Sequence, residues 1–345
     1  DAWGHITSGG TIANFEALWV ARNLKYLPLA ANKVAEDLRL DIEIRTPGGD
    51  TGDLASVKDA WVLLNLDPDE VLEILPRLRS AYANKSQGLT ESQTNKEIEV
   101  RMARHSISGL GIHRFFSESG FKPLNPGLIL MPATAHYSLK KVVEALGMGW
   151  GQIELIPIDS HFRMDIGSLR ERLRDCLDLK RPVIALTSVV GSTEEGAVDQ
   201  IHEVSEIQEE FRREGLSFYH HCDAAWGGYA RTLFCEEDGT PVRLAGDIMK
   251  FIRIWPSDGI FKSFSAIHTS DSVTIDPHKL GYIPYPCGTI VFRNDKVKDL
   301  ISFDAPYIFS DSGNEESSFI GRHILEGSKP GAAAAACWLA HKVVP

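Results

Sequence analysis

Lys279 ends the tetrapeptide Asp276-Pro277-His278-Lys279, directly after the short apolar run Ser272-Val273-Thr274-Ile275. That run reads as a buried strand, and a lysine at its end is costly to bury unless it is neutral or covalently engaged. An amine beside a histidine and a carboxylate suits Schiff-base chemistry with a cofactor aldehyde. Such chemistry asks three more things of the chain: a cradle for a phosphate, a carboxylate for a pyridinium nitrogen, and a flat partner for the ring.

Each has a candidate. Ser8-Gly9-Gly10-Thr11 precedes a helical pattern, and glycines at a helix N-terminus let backbone N–H groups approach an anion. Neither a Walker loop nor a dinucleotide GxGxxG is present there, and a tight turn with a helix cap is the alternative. His136, in Ala135-His136-Tyr137-Ser138, follows a strand-like run and is placed to stack on a planar ring; a hydrogen-bonded loop histidine is the rival reading. Asp223 ends the run Phe218 to Cys222 and is followed by Ala224-Ala225, which leaves room for a flat ring above it. A carboxylate paired with a pyridinium nitrogen keeps it protonated, and the ring then draws electrons from the substrate α-carbon. In Gly191 to Asp199, Thr193 is placed to touch a ring hydroxyl, and Asp199 reads as a cap or positioning group. His220, His221, Cys222 and Asp223 do not make a metal centre, because consecutive strand residues point to opposite faces.

These residues need strand ends to hold them. Strand-like runs cover 128–131, 153–158, 183–186, 217–222, 272–275 and 288–292, and helical patterns cover 139–146, 166–176 and 201–214. Ile12, Phe15, Leu18 and Trp19 start an earlier helix. Alternation of this kind predicts an α/β fold, a mostly parallel sheet flanked by helices, with functional residues at the carboxyl ends of the strands. Residues from about 33 to 110 are charge-rich and punctuated by turns, and read as an inserted helical excursion.

Composition narrows the function. The chain has 345 residues, 43% of them hydrophobic, enough for a large core. A net charge of −11 argues against a nucleic-acid or anionic-membrane surface, and no apolar run reaches membrane-spanning length. Five cysteines without CxxC spacing argue against a disulfide framework or zinc ribbon and fit a reducing cytoplasm.

With these motifs in this order, the chain resembles the group II pyridoxal-phosphate-dependent amino-acid decarboxylases, of the aspartate aminotransferase fold (fold type I). The resemblance rests on Asp223-Ala224-Ala225, Asp276-Pro277-His278-Lys279, His5 to Asn14, Gly191 to Asp199, Asp276 through Tyr285, and Ile324 to Lys329. Within that family it is most similar to the bacterial tyrosine decarboxylases. The resemblance implies pyridoxal 5'-phosphate as cofactor and Lys279 as its covalent anchor. Asp223 would bind the pyridine nitrogen, His136 would stack on the ring, and Ala225 would pack on its other face. Gly10, Thr11 and His278 would hold the phosphate, with Thr193 near the ring. Tyr285 would line the substrate pocket, and Tyr307 would help protonate the substrate α-carbon. The implied reaction is decarboxylation of an L-amino acid, tyrosine to tyramine. Rivals are another substrate (glutamate, DOPA or phenylalanine), an aldehyde synthase, a carbon–carbon lyase, or a scaffold that has kept the fold. A cytoplasmic homodimer with sites at its interface is expected. Residues 1–345 would form one catalytic large domain with a second insertion at about 236–268. The family's N-terminal segment and C-terminal small domain are expected to be absent.

Overall fold

The computed structural model describes residues 1–86, 88–121, 125–236, 240, 257–303 and 320–343. In chain order the strands are β1 (Trp3–Thr7), β2 (Glu43–Arg45), β3 (Thr51–Asp53), β4 (Leu128–Pro132), β5 (Ile153–Ile156), β6 (Val183–Val189), β7 (Tyr219–Asp223), β8 (Ser272–Ile275) and β9 (Gly288–Phe292). Seven of them form one sheet in the order β1-β9-β8-β7-β6-β4-β5. Neighbours from β8 to β5 pair in parallel, and β9 runs antiparallel to both β8 and β1. β1 therefore points the same way as the parallel strands. The central strands β4, β6 and β7 are buried along their whole length, as expected of parallel strands covered on both faces. β8 alternates between buried and half-buried residues instead of reading as a wholly buried run.

The main helices are α1 (Gly10–Leu38), α2 (Ala60–Leu64), α3 (Pro68–Lys85), α4 (Glu91–Ala103), α5 (Ile107–Glu118), α6 (Tyr137–Ala145), α7 (Ile166–Asp178), α8 (Ile201–Arg213) and α9 (Asp258–Ala266). Local chemistry sets their starts. Asp67 caps α3 with Pro68 in the first turn, Thr90 and Gln93 form a capping box on α4, and Asp165 caps α7. On α8, Ile201, Val204, Ile207 and Phe211 are buried, one helical face against the sheet.

α1 departs furthest from the sequence reading. It runs far beyond Arg22 to Leu38 and contains Pro28. A proline there removes one backbone donor, yet the helix persists because it is enclosed on nearly every side. Ala13, Ala17, Ala21, Ala30, Ala31 and Ala35 are all buried and let it lie close to its neighbours. Position 33 thus falls inside α1. The β2–β3 hairpin, α2 to α4 and the start of α5 fill the rest of the stretch to 110. β1 is a strand that the sequence reading did not separate from the helix after it.

Candidate active site

Every parallel strand ends at the same edge, and β1 joins them there. One cavity of about 360 Å³ opens at that edge. Gly10, Thr11, His136, Thr193, Asp223, Ala225, His278, Lys279 and Tyr285 all line it. Tyr307 lies outside the described residues. The linings come from five chain segments: the β1–α1 junction, the ends of β4, β6 and β7, and the stretch after β8.

The β1–α1 junction is built for close approach. Gly9 is the N-cap of α1 and, among the described residues, no side chain caps the helix; Ile12 N–H turns back to the Gly9 carbonyl at 3.0 Å, which leaves the N–H groups of Gly10 and Thr11 at the cavity. A Cβ on Gly10 would stand 2.7 Å from Asp276 Oδ2, and one on Gly288 would stand 2.5 Å from Gly9 Cα. Neither position tolerates a side chain without movement. The segment after Ile324 braces this junction from behind. Leu325 N–H donates to Glu16 Oε1 at 2.9 Å, Ser8 N–H donates to Glu326 Oε2 at 3.3 Å, and Lys329 Nζ donates to the Ile6 carbonyl.

Asp223 sits on the floor, 5% exposed. Its Oδ2 accepts from Asn14 Nδ2 at 2.8 Å and its Oδ1 from Ala225 N–H at 3.2 Å. Asn14 Nδ2 also lies 3.3 Å from Ser138 Oγ, and Asn14 Oδ1 lies 3.1 Å from His221 Nε2. His221 Nδ1 in turn meets Ser272 Oγ at 2.8 Å. His220, the next residue back, instead meets Ser188 Oγ at 2.9 Å. Burial pushes His221 down to about 4, against the pull of Asp223, so this imidazole is neutral at ordinary pH.

His136 caps α6. Its Nδ1 accepts from Ser138 N–H at 3.3 Å and meets Ser138 Oγ at 2.8 Å. A ring nitrogen that accepts a backbone N–H carries no proton, so Nε2 holds the imidazole proton. Burial lowers the pKa of His136 from its ordinary value, with Asp223 opposing.

The opposite wall carries Lys279. The side chain is 30% exposed, so it is not the buried lysine that its strand-end position suggests, and Asp276 Oδ2 lies 3.0 Å from Nζ. The same oxygen is 3.5 Å from His278 Nε2. His278 Nδ1–H donates to the Cys287 carbonyl at 2.6 Å, and its ring lies against Tyr285 with centroids 3.7 Å apart. Asp276 is buried, among the described residues its Oδ1 has no hydrogen-bond partner, and burial raises its pKa despite the nearby lysine.

Asp199 is a positioning group. It is buried and accepts from Met164 N–H and Val189 N–H, each at 2.7 Å, which ties the end of β6 to the loop before α7. Burial pushes it up to about 6. Gly191 beside it has φ +83° and faces Gly227 and Trp226, so a side chain there would be strained and crowded.

Sequence reasoning missed Asn14, Ser138 and His221. Their partners lie 124, 207 and 209 residues apart, beyond any local pattern. A polar residue one turn after Gly10, on a face that turns out to be buried, was the available signal for Asn14.

The comparisons agree with this geometry. Residues 125–243 match the pyridoxal-dependent decarboxylase conserved domain. The chain is 38% identical to an L-tyrosine decarboxylase of Enterococcus faecium, over 100% of this chain and 51% of that protein. It is 35% identical to an L-tyrosine decarboxylase of Levilactobacillus brevis, over 99% of this chain and 49% of that protein. The chain thus spans about half the length of the curated relatives it matches. Among solved structures, mouse CSAD in its apo form superposes with a TM-score of 0.55 at 17% identity, covering 99% of this chain and 46% of that one. Oryza sativa TDC with PLP and tryptamine gives 0.51 at 14%, covering 99% and 47%; these two support the fold. The chain thus carries, over residues 125–243, the pyridoxal-dependent decarboxylase conserved domain, and along its full length it is similar to about half of each of these L-tyrosine decarboxylases.

Proposed function

We propose that this chain binds pyridoxal 5'-phosphate through Lys279 and decarboxylates an L-amino acid, with tyrosine as the substrate and tyramine as the product. The observation that carries the reading is the single cavity that gathers Lys279, Asp223, His136 and the open N-terminus of α1. The residues fit the group: an uncapped helix with a glycine approach for a phosphate, a buried carboxylate for the ring nitrogen, and an amine beside an acceptor oxygen. Tyrosine is supported by the names of relatives 35–38% identical.

When bound, the cofactor supplies an electron sink for the pair left on the substrate α-carbon as carbon dioxide departs. The chain does the rest. The first N–H groups of α1, with Thr11 and His278, hold the phosphate. Asp223 holds a proton on the ring nitrogen. Asp276 Oδ2, 3.0 Å from Lys279 Nζ, would take a proton from that amine and return it. His136 would cover one face of the bound ring and Ala225 the other. The Nε2–H of His136 is the donor on the cavity side, placed to orient the substrate carboxylate. Thr193 stands near the ring hydroxyl, and Tyr285 lines the substrate pocket. Tyr307 returns the proton to the α-carbon, a role supported by the sequence resemblance.

The same reading makes the protein a cytoplasmic homodimer. Tyr137 and Tyr285 line the cavity and are 61% and 73% exposed, aromatic surface that a second copy would cover. Among the described residues no helix is long and apolar enough to cross a membrane. The test is a decarboxylation assay with added cofactor on tyrosine, DOPA, phenylalanine and glutamate. Tyramine formed from tyrosine, and lost in Lys279→Ala, supports the proposal. An aldehyde with stoichiometric peroxide points to a synthase instead. No turnover of any of the four contradicts the proposal.

A further inference from the structure

We infer that Asn14 is a positioning residue for the cofactor's ring nitrogen: one buried amide orients the Asp223 carboxylate and fixes where His221 and His136 carry their protons. The inference rests on the cofactor reading above.

The hydrogen-bond directions follow from the chemistry of the partners. A carboxylate accepts, so the Asn14 group 2.8 Å from Asp223 Oδ2 is the NH₂. The amide oxygen then faces His221 Nε2, 3.1 Å away, and that nitrogen must donate. His221 Nδ1 is left as an acceptor for the Ser272 hydroxyl. The second N–H of Asn14 donates to Ser138 Oγ, whose own proton goes to His136 Nδ1. The relay places the His136 proton on Nε2, toward the cavity. Asn14 is 1% exposed, so none of these bonds competes with water.

Two consequences make this more than packing. A neutral amide orients the carboxylate without cancelling its charge, which a lysine or arginine in that place would do. His221 supplies no counter-charge either, since burial keeps it neutral. Asn14 also lies one helical turn beyond Gly10 on α1. The helix that presents the phosphate cradle therefore also grips the nitrogen's partner, and a single rigid element sets the spacing between the two ends of the cofactor.

Asn32 supplies the control. It is another buried asparagine on α1, remote from the cavity, and its Nδ2 donates to the carbonyls of Leu54 and Val57 at 2.6 and 2.9 Å. The experiment titrates the purified wild-type chain, Asn14→Leu, Asn14→Asp and Asn32→Leu with pyridoxal phosphate, following the visible absorption band and thermal melting. Asn14→Asp preserves shape and keeps a folded probe if the leucine variant unfolds. Both Asn14 variants are expected to weaken cofactor binding roughly tenfold or more and to shift the band. Asn32→Leu is expected to lower the melting temperature while leaving affinity and band at wild-type values. Asn14 variants with wild-type affinity and band overturn the inference, as does an Asn32→Leu variant that reproduces the shift. A wild-type chain with no Lys279-dependent band overturns the functional reading and this inference together, which separates the two failures.

Discussion

The two ends of the sheet each hold a notable lysine, and the wrong one is buried. At the amino end, Lys25 on α1 is 5% exposed, and its Nζ donates to the Ser217 carbonyl at 2.6 Å and approaches Asn65 Oδ1 at 3.4 Å. Burial alone pushes it down to about 7. At the carboxyl end, Lys279 is partly exposed and paired with Asp276. Burial and a lowered pKa would single out Lys25 as the reactive amine. The surroundings say otherwise: the space beside Lys25 is only about 10 Å³, and its neighbours among the described residues are carbonyl, amide, aliphatic and aromatic groups. Lys279 faces a cavity of about 360 Å³ with two carboxylates, two imidazoles and an open helix end. The proposed reactivity of Lys279 thus rests on its assembled surroundings and not on desolvation, which at Lys25 accompanies hydrogen bonds to a carbonyl and an amide.

Four outcomes break or sharpen that contrast. The largest is at Lys279: Lys279→Ala should remove decarboxylation and the visible cofactor band together, while Lys25→Met should keep both, by assay and absorption spectroscopy. If Lys25→Met abolished the band and Lys279→Ala did not, the contrast would be reversed. Next is Asp223→Asn, which keeps shape but removes the carboxylate on the cavity floor. Turnover should fall by about 10²–10³-fold, the size found when one preorganised electrostatic partner is removed.

Gly288→Ala comes third. Its new Cβ would press on Gly9 Cα, so the junction of β1 and α1 must shift. A loss of roughly 1–3 kcal/mol in stability is expected, from overpacking, with weaker cofactor binding. Denaturant melts and a cofactor titration check both.

The smallest effect is a pH dependence at the amino end. Burial pushes Lys25 in the folded chain down to about 7, from its ordinary value of 10.5. Between these values the unfolded chain binds the proton and the folded chain does not, so stability rises with pH across this window. Below about pH 7 both states are protonated and the penalty is present in full. Thermal melts from pH 7 to 9 should therefore show a rise at this site's expense that Lys25→Met flattens. An equal slope in the variant would show that Lys25 does not titrate as its burial implies.

Much of this was legible in the sequence wherever the signal is local. Strand cores such as 128–131, 183–186 and 288–292 are short apolar runs, and the site residues that follow them stand beside glycine, proline or alanine at element ends. β1 was not legible, because Trp3-Gly4-His5-Ile6-Thr7 lacks an apolar alternation and is held by its antiparallel register with β9. The length of α1 was hidden by Pro28, whose local cost is overridden by enclosure on nearly every side. The support beneath the site was hidden for a different reason. Asn14, Ser138, His221 and Ser272 acquire meaning only when helix, loop and two strands meet, and no spacing along the chain encodes that meeting. The same holds for the exposure of Lys279, which depends on where Asp276 and the 285–288 turn lie around it.

The most direct test is to locate the cofactor's covalent attachment. The holo-protein is reduced with borohydride, digested, and its peptides mapped by mass spectrometry. A pyridoxyl group on Lys279, with Lys25 unmodified, is the predicted result. Attachment at any other lysine, or at none, would contradict the account.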